Sequence, residues 1–389
     1  NKAEADTIDG YNSTSGTVTL TSITDTVDNV EAVRLDATIS IASSTITVTD
    51  AASLANATTF NNATSAQVTL NSVEDTYDNL ISIDGITTSE VSMAAAAVKV
   101  TSNIDKTKLD TLRGDTTGTV TVADITEDKT DLGTISKYAD VDLTTANITV
   151  SDNVNKAEAD TIDGYNSTSG TVTLSTVTDT FANIKLLHED TSISIASAAV
   201  TVTNAASLAN ANTLNGYTSG QVTLNSVEDT YDNLISIDGI TTSEVSMAAA
   251  AVKVTSNIDK TKLDTLRGDT TGTVTVADIT EDKTDLGTIS KYADVDLTTA
   301  NITVSDNVNK AEADTIDGYN STSGTVTLTS ITDTVDNVEA VRLDATISLA
   351  SSTITVTDAA SLANANTFNS ATSAQVTLNA VQDTVANIT

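Results

Sequence analysis

The sequence predicts an α/β repeat solenoid, a rod-like stack of about fifteen coils, each a parallel β-strand followed by a short helix. Three observations predict it. The segment beginning Asn1-Lys2-Ala3-Glu4 returns at Asn155 and again at Asn309, and Gln67–Leu174 is identical, letter for letter, to Gln221–Leu328. Within that 154-residue period, a Val/Ile-Thr-Val/Leu triplet or its Lys-centred variant starts at residues 18, 46, 68, 98, 120, 148, 172, 200, 222, 252, 274, 302, 326, 354 and 376. Spacings of 22 to 30 residues lie in the range of stacked repeats. After each triplet the apolar period changes from two, as in a strand with one buried face, to that of a helix. Residues 1–389 therefore read as one continuous solenoid, with super-repeats starting at 1, 155 and 309, the last partial.

Two kinds of coil alternate. The first is typified by Ile46-Thr47-Val48-Thr49-Asp50-Ala51-Ala52-Ser53-Leu54. Four residues after the triplet starts stands Asp50, Ser102, Asp152, Asn204, Ser256, Asp306 or Asp358, each a residue type suited to a helix N-cap. Ten positions further comes an apolar residue, such as Phe60, Leu112, Ile162 or Leu214. Gly114, Gly164 and Gly216 follow two residues later, with Asn62 in the same place, and are expected as left-handed helix stops.

The second kind is typified by Val68-Thr69-Leu70-Asn71-Ser72-Val73-Glu74-Asp75. Five residues after the triplet starts stands Val or Ile, and twelve after stands an apolar residue, as in Val30, Leu80, Leu132 and Ile184. Positions seven apart share a helix face. Between them, every copy is acidic: Asp25, Asp75, Glu127, Asp179, Asp229, Glu281, Asp333 and Asp383. This acid is expected in the first helical turn, where it complements the dipole and the free amides. An extra extended piece, Ile39-Ser40-Ile41 or Val91-Ser92-Met93, precedes the next triplet by seven residues.

Strand, right-handed helical crossover and parallel strand stack into a solenoid whose core exists between neighbouring coils. At a strand spacing of about 4.8 Å, fifteen rungs give a rod roughly 70 Å long. By comparison with internal copies, the chain opens at Asn1 and stops at Thr389 in mid-helix. The expectation is a window from a longer repeat protein, or a segment that continues end to end with another copy.

Composition excludes several classes. Against 53 Asp+Glu stand 18 Lys+Arg, a net charge of −35, so nucleic acid and anionic lipid are poor partners. With no cysteine, there is no disulfide framework, thiol catalysis or thiolate metal site. No apolar run approaches membrane-spanning length, so membrane insertion is not expected.

The runs Thr203-Asn204-Ala205-Ala206-Ser207-Leu208-Ala209-Asn210 and Tyr217-Thr218-Ser219-Gly220-Gln221-Val222-Thr223-Leu224 resemble repeats of giant bacterial cell-surface and secreted proteins, those of marine cyanobacteria among them. The resemblance covers essentially the whole chain. It implies export, an extracellular or cell-surface location, and an adhesive, filamentous or surface-layer role. Many such proteins bind calcium through Gly-Gly-x-Gly-x-Asp nonapeptides, which this chain lacks.

No enzyme is expected. The single histidine, His188, is replaced by arginine at the related positions 34 and 342. Paired carboxylates hydrolyse glycosides at singular sites, whereas here the acids are replicated and aromatics are 3% of the chain. No cofactor is expected beyond calcium, for which Asp25 and Asp28, Asp75 and Asp78, and Asp229 and Asp232 are the candidate pairs, read as one helical turn apart. Calcium takes six to eight oxygen ligands, and such pairs supply few. The centre of the triplet is Thr at thirteen of fifteen rungs, Lys99 and Lys253 excepted, which predicts a hydroxyl ladder on one outward face.

The function expected is therefore an extracellular structural repeat forming a filament, matrix or surface-layer element. The partners expected are further copies of the same repeat, joined end to end, and cell-surface polysaccharide. The alternatives are the stalk of a giant adhesin with its tip elsewhere, and a calcium-dependent or polysaccharide-binding solenoid.

Overall fold

A computed structural model describes residues 1–12, 15–86, 90–240 and 244–388. It contains two compact units, Asn1–Thr178 with Asn183–Ala198, and Asp179–Ala182 with Ala199–Thr389. Each is an α/β solenoid in which parallel strands alternate with short helices.

In the first unit, strands Thr45–Ala52, Val68–Asp75, Ala97–Ile104, Val120–Glu127 and Asn147–Val154 pair in sequence order, all parallel. The extra extended pieces are two-residue strands: Ile39–Ser40 pairs with Val18–Thr19, and Val91–Ser92 with the start of Val68–Asp75. The second unit repeats the scheme from Ala199–Ala206 to Val376–Val381. Ile46, Val48, Val68, Leu70 and Val73 point inward and meet Phe60, Leu80 and Ile83 from the helices, all at most 1% exposed. Each such side chain contributes about 1.5–3 kcal/mol through burial. Helices of seven to ten residues, such as Lys129–Ile135 and Leu54–Ala63, would be marginal in water, so this packing holds them.

The strands are sheared rather than stacked in one column. Val73, the sixth residue of its strand, faces Val98, the second of the next; Val98 then faces Val120, the first of the strand after that. The resulting column, Ala52–Val73–Val98–Val120–Val141, is buried up to the half-buried Val141 and ends there, and Ile104–Ile125–Ile148–Val172–Ile193 replaces it. An eight-residue strand thus serves two columns with its two halves. In the second unit the same shear gives Ala206–Val227–Val252–Val274–Val295 and Ile258–Ile279–Ile302–Val326–Ile347.

Shear corrects the expected threonine ladder. Triplet centres adjoin two at a time, in runs such as Thr24–Thr47–Thr69–Ser92 and Thr126–Thr149–Thr173–Ser194. The lysine-centred copies form another run, Glu74–Lys99–Thr121–Asp142. There the Lys99 Nζ lies 2.7 Å from the Glu74 Oε1 directly opposite, which accounts for lysine at that rung.

Two expected helix signals also change role. The strand of the first kind runs on through Asp50 to Ala52 with one bulge: Val48 faces Leu70 and Ala51 faces Ser72, so Thr49 and Asp50 oppose Asn71 alone. The helix begins at Leu54 with Ser53 as its N-cap, three residues later than expected; Asp105 and Asn155 cap the next two of this kind. The expected left-handed stops are absent among the described residues, where no glycine has positive φ. Asn62, Gly114 and Gly216 lie inside helices, and Gly164 has φ −61°. Helices Leu54–Ala63, Lys106–Asp115 and Leu208–Tyr217 stop at an extended, buried threonine instead. Thr64 Oγ1 donates to the Ser44 carbonyl at 2.7 Å and accepts the Ala66 amide at 3.1 Å; Thr116 does the same with Ala96 and Gly118. At Gly118 a Cβ would stand 2.1 Å from the Ala96 carbonyl oxygen, so this corner requires glycine for close approach rather than for φ. Asn1 is the N-cap of helix Lys2–Tyr11 rather than a mid-helix residue, and Thr389 lies outside the described residues.

Candidate functional site

The most repeated polar arrangement is a set of side chains that reach from one coil to the helix of the coil before it. Because the bulge turns Asp50 sideways, its Oδ1 accepts the amide of Val27, the first residue of the preceding helix, at 2.7 Å. Ser102 accepts from Tyr77 at 3.0 Å and Asp152 from Lys129 at 2.9 Å; in the second unit Asn204, Ser256, Asp306 and Asp358 do likewise.

The acids of the second kind of coil act on the other helices. Asp25 accepts the Lys2 amide at 2.8 Å, Asp75 the Leu54 amide at 3.0 Å and Glu127 the Lys106 amide at 2.6 Å. Asp229, Glu281, Asp333 and Asp383 repeat this on Leu208, Lys260, Lys310 and Leu362. The other oxygen of Asp75 accepts the Thr76 amide and the Asn79 side chain, both at 2.8 Å. Partial burial pushes the Asp75 carboxyl up, but these three hydrogen bonds outweigh it and hold the group below its ordinary value. The same balance lowers Asp25, Asp229 and Asp333.

These positions bear directly on the candidate metal pairs. Asp25, Asp75 and Asp229 are the last residues of strands, not helical residues; Asp28, Asp78 and Asp232 are exposed in the helices that follow. The two members of each pair are therefore not one turn apart on a helix, and the oxygens of the first member already accept amides. Helical spacing had suggested the pairs; the strand's length decides otherwise.

Sequence reasoning passed over two carboxylate triads, Glu127-Asp128-Asp131 and Glu281-Asp282-Asp285, whose oxygens lie within 4.8 Å of one another. The Glu-Asp-x-x-Asp spacing was the available signal. Asp128 is an N-cap, its Oδ1 accepting the Thr130 and Asp131 amides at 2.8 Å, while Glu127 accepts from Lys106 and Asp128. The triad has hydrogen-bond work that explains its place, and three carboxylates fall short of a calcium shell on their own.

A second cluster is a clamp. The Arg113 guanidinium bonds both oxygens of Asp140 at 2.9 Å and stacks 3.7 Å from the Tyr138 ring centre. Arg267, Asp294 and Tyr292 repeat it. Asp115 lies at the end of the same helix as Arg113; burial and the Asp84 charge push its carboxyl up, and Asp269 is raised likewise beside Asp238. His188 is exposed in the last turn of helix Phe181–Glu189.

The hollows of the surface repeat as well. One of about 270 Å³ is lined by Leu143, Thr144 and Tyr165, and its counterpart of about 280 Å³ by Leu297, Thr298 and Tyr319. Among the described residues no helix is long and apolar enough to cross a membrane. The chain matches no protein-family model, no curated protein and no solved structure.

Proposed function

We propose that this chain is a structural repeat that works outside the cell as an element of a filament, matrix or surface layer, associating with further copies of the same repeat. The observation that supports this most is the destination of its polar groups. Asp25, Asp50, Asp75 and Glu127 are each spent on joining one coil to its neighbour. The same bonds recur 154 residues on, as in Lys106–Glu127 and Lys260–Glu281. A binding or catalytic site gains nothing from such replication, whereas length does. Catalysis forms no part of this proposal, and the acidic surface keeps copies apart unless cations bridge them.

Electron microscopy of the purified protein at two concentrations, with and without millimolar calcium, tests the proposal. Long fibres that shed short pieces on dilution support it. Particles of one fixed length at every concentration would remove self-association and leave the adhesin-stalk alternative. A calcium-dependent form predicts a melting temperature several degrees lower after chelation, and an unchanged value sinks that form. Retention of the protein on acidic polysaccharide would support the polysaccharide-binding alternative.

A further inference from the structure

Identical blocks make identical junctions. In the first unit, strand Val120–Glu127 receives strand Asn147–Val154 in the register Asp124↔Asn147, Ile125↔Ile148, Thr126↔Thr149. In the second, Val274–Glu281 receives Asn301–Val308 in the register Asp278↔Asn301, Ile279↔Ile302, Thr280↔Thr303. The bonds across the two junctions agree as closely as the letters. Asn147 donates to Asp124 at 2.9 Å and Asn301 to Asp278 at 2.9 Å. The Lys129 amide reaches Asp152 at 2.9 Å and the Lys283 amide reaches Asp306 at 3.0 Å. Lys129 pairs with Glu158 and Lys283 with Glu312, both at 3.0 Å. All these residues fall inside the stretch shared by 67–174 and 221–328, so neither strand carries a feature that tells its own partner from the other's. Specificity is a difference of affinities, and here the side chains supply none.

We infer that two copies of this chain exchange coils at this junction, the coil of Val120–Glu127 in one copy receiving the coil of Asn301–Val308 from the other. The partner is a second copy, offset by one 154-residue period. What protects the native pairing is the covalent link, which holds adjoining coils at an effective concentration of the order of millimolar. Exchange therefore belongs to folding at high chain concentration, where swapped elements join protomers at little cost in contacts. This inference rests on the self-association in the proposed function and gives it a mode.

The chain has no cysteine, so introduced thiols report on their own. One full-length copy carries Thr126→Cys and another Thr303→Cys; their native partners are Thr149 and Thr280, in different halves of the sequence. The two are unfolded, mixed, refolded together and oxidised. A control mixture replaces Thr303→Cys with Thr275→Cys, whose neighbours are Lys253 and Asp296. A third variant, Thr126→Cys with Thr149→Cys in one chain, establishes that the fold tolerates the changes and that the geometry forms a disulfide. The expected result is an intermolecular link between 126 and 303 at least about tenfold above the 126–275 control, the ratio set by a mispairing penalty beyond ~1.4 kcal/mol. Its yield rises with chain concentration. Equal yields in the two mixtures, while the single-chain variant oxidises, overturn the inference. Fibres from untreated protein without the 126–303 link would leave the filament proposal standing and sink coil exchange. The link without fibres would do the reverse.

Discussion

Asp75 accepts the backbone amide of Leu54, 21 residues earlier, at 3.0 Å. Leu54 is the first residue of a helix whose own N-cap, Ser53, serves the amide of Asn56 and leaves that of Leu54 to another group. The helix of one coil is therefore completed by a carboxylate of the next. Local capping and coil stacking are one interaction here, which makes each short helix conditional on its neighbour.

Asp75→Ala is expected to weaken helix Leu54–Ala63, upstream of the substitution, by about 1–2 kcal/mol. Hydrogen exchange of the full chain checks this. Protection should fall more at the Leu54 end of that helix than in helix Tyr77–Asp84, which follows Asp75 in sequence. A larger loss in the downstream helix would mean that Asp75 acts as an ordinary local cap.

Acid should loosen the same junctions. Asp25, Asp75, Asp229 and Asp333 are held below their ordinary value in the folded chain. Groups with depressed pKa contribute stability that is present above the unfolded value of about 3.9 and lost as pH falls through the folded one. Asp115 and Asp269, which are raised, run the other way and gain stability as pH falls. Other carboxyls, Asp110, Asp140, Asp264 and Asp294 among them, are held down as well, so among the described residues the depressed groups outnumber the two raised ones, which predicts a melting temperature that is steady near neutrality and falls below about pH 4. Thermal melts from pH 7 to pH 3 measure it, and a rise across the lower half of that range would contradict the balance.

Asp115→Asn should stabilise the chain at pH 7. The change removes a partly desolvated charge facing Asp84 and keeps the side chain's shape. Solvent screening limits the gain to about 0.5 kcal/mol, a rise in Tm of about 1 °C. The gain should vanish toward pH 3, where the aspartate is itself protonated. A benefit independent of pH would point to packing rather than charge.

Gly118→Ala should cost about 1–3 kcal/mol, because the new methyl group meets the Ala96 carbonyl oxygen at 2.1 Å and the backbones must part. The related position in the previous coil of the same kind holds Ala66, so that corner already accommodates a methyl group. Denaturant melts of Gly118→Ala beside Ala66→Gly separate the two cases: the first should destabilise strongly and the second weakly.

Arg113→Lys should cost about 1 kcal/mol despite keeping the charge, since lysine offers neither the two-pronged bond to Asp140 nor the flat stack on Tyr138. A double-mutant cycle with Tyr138→Leu apportions the loss between bond and stack.

The sequence by itself determined the period, the parallel strands, the two-residue strands such as Val91–Ser92, and the inward positions Ile46, Val73, Phe60 and Leu80. These follow from which residues are apolar and at what spacing, and burial is set by local pattern. The tertiary structure decided where the polar side chains go. Asp50 looked like an N-cap and Asp75 like a first-turn acid, because residue type and order are all a sequence offers. Each instead serves the preceding coil, since stacked parallel strands bring Asp50 as close to position i−23, and Asp75 as close to position i−21, as to its own next turn. The bulge at Thr49–Asp50 and the shear that breaks the threonine ladder arise the same way. They are fixed by how one coil seats on another, a distance that no single coil encodes.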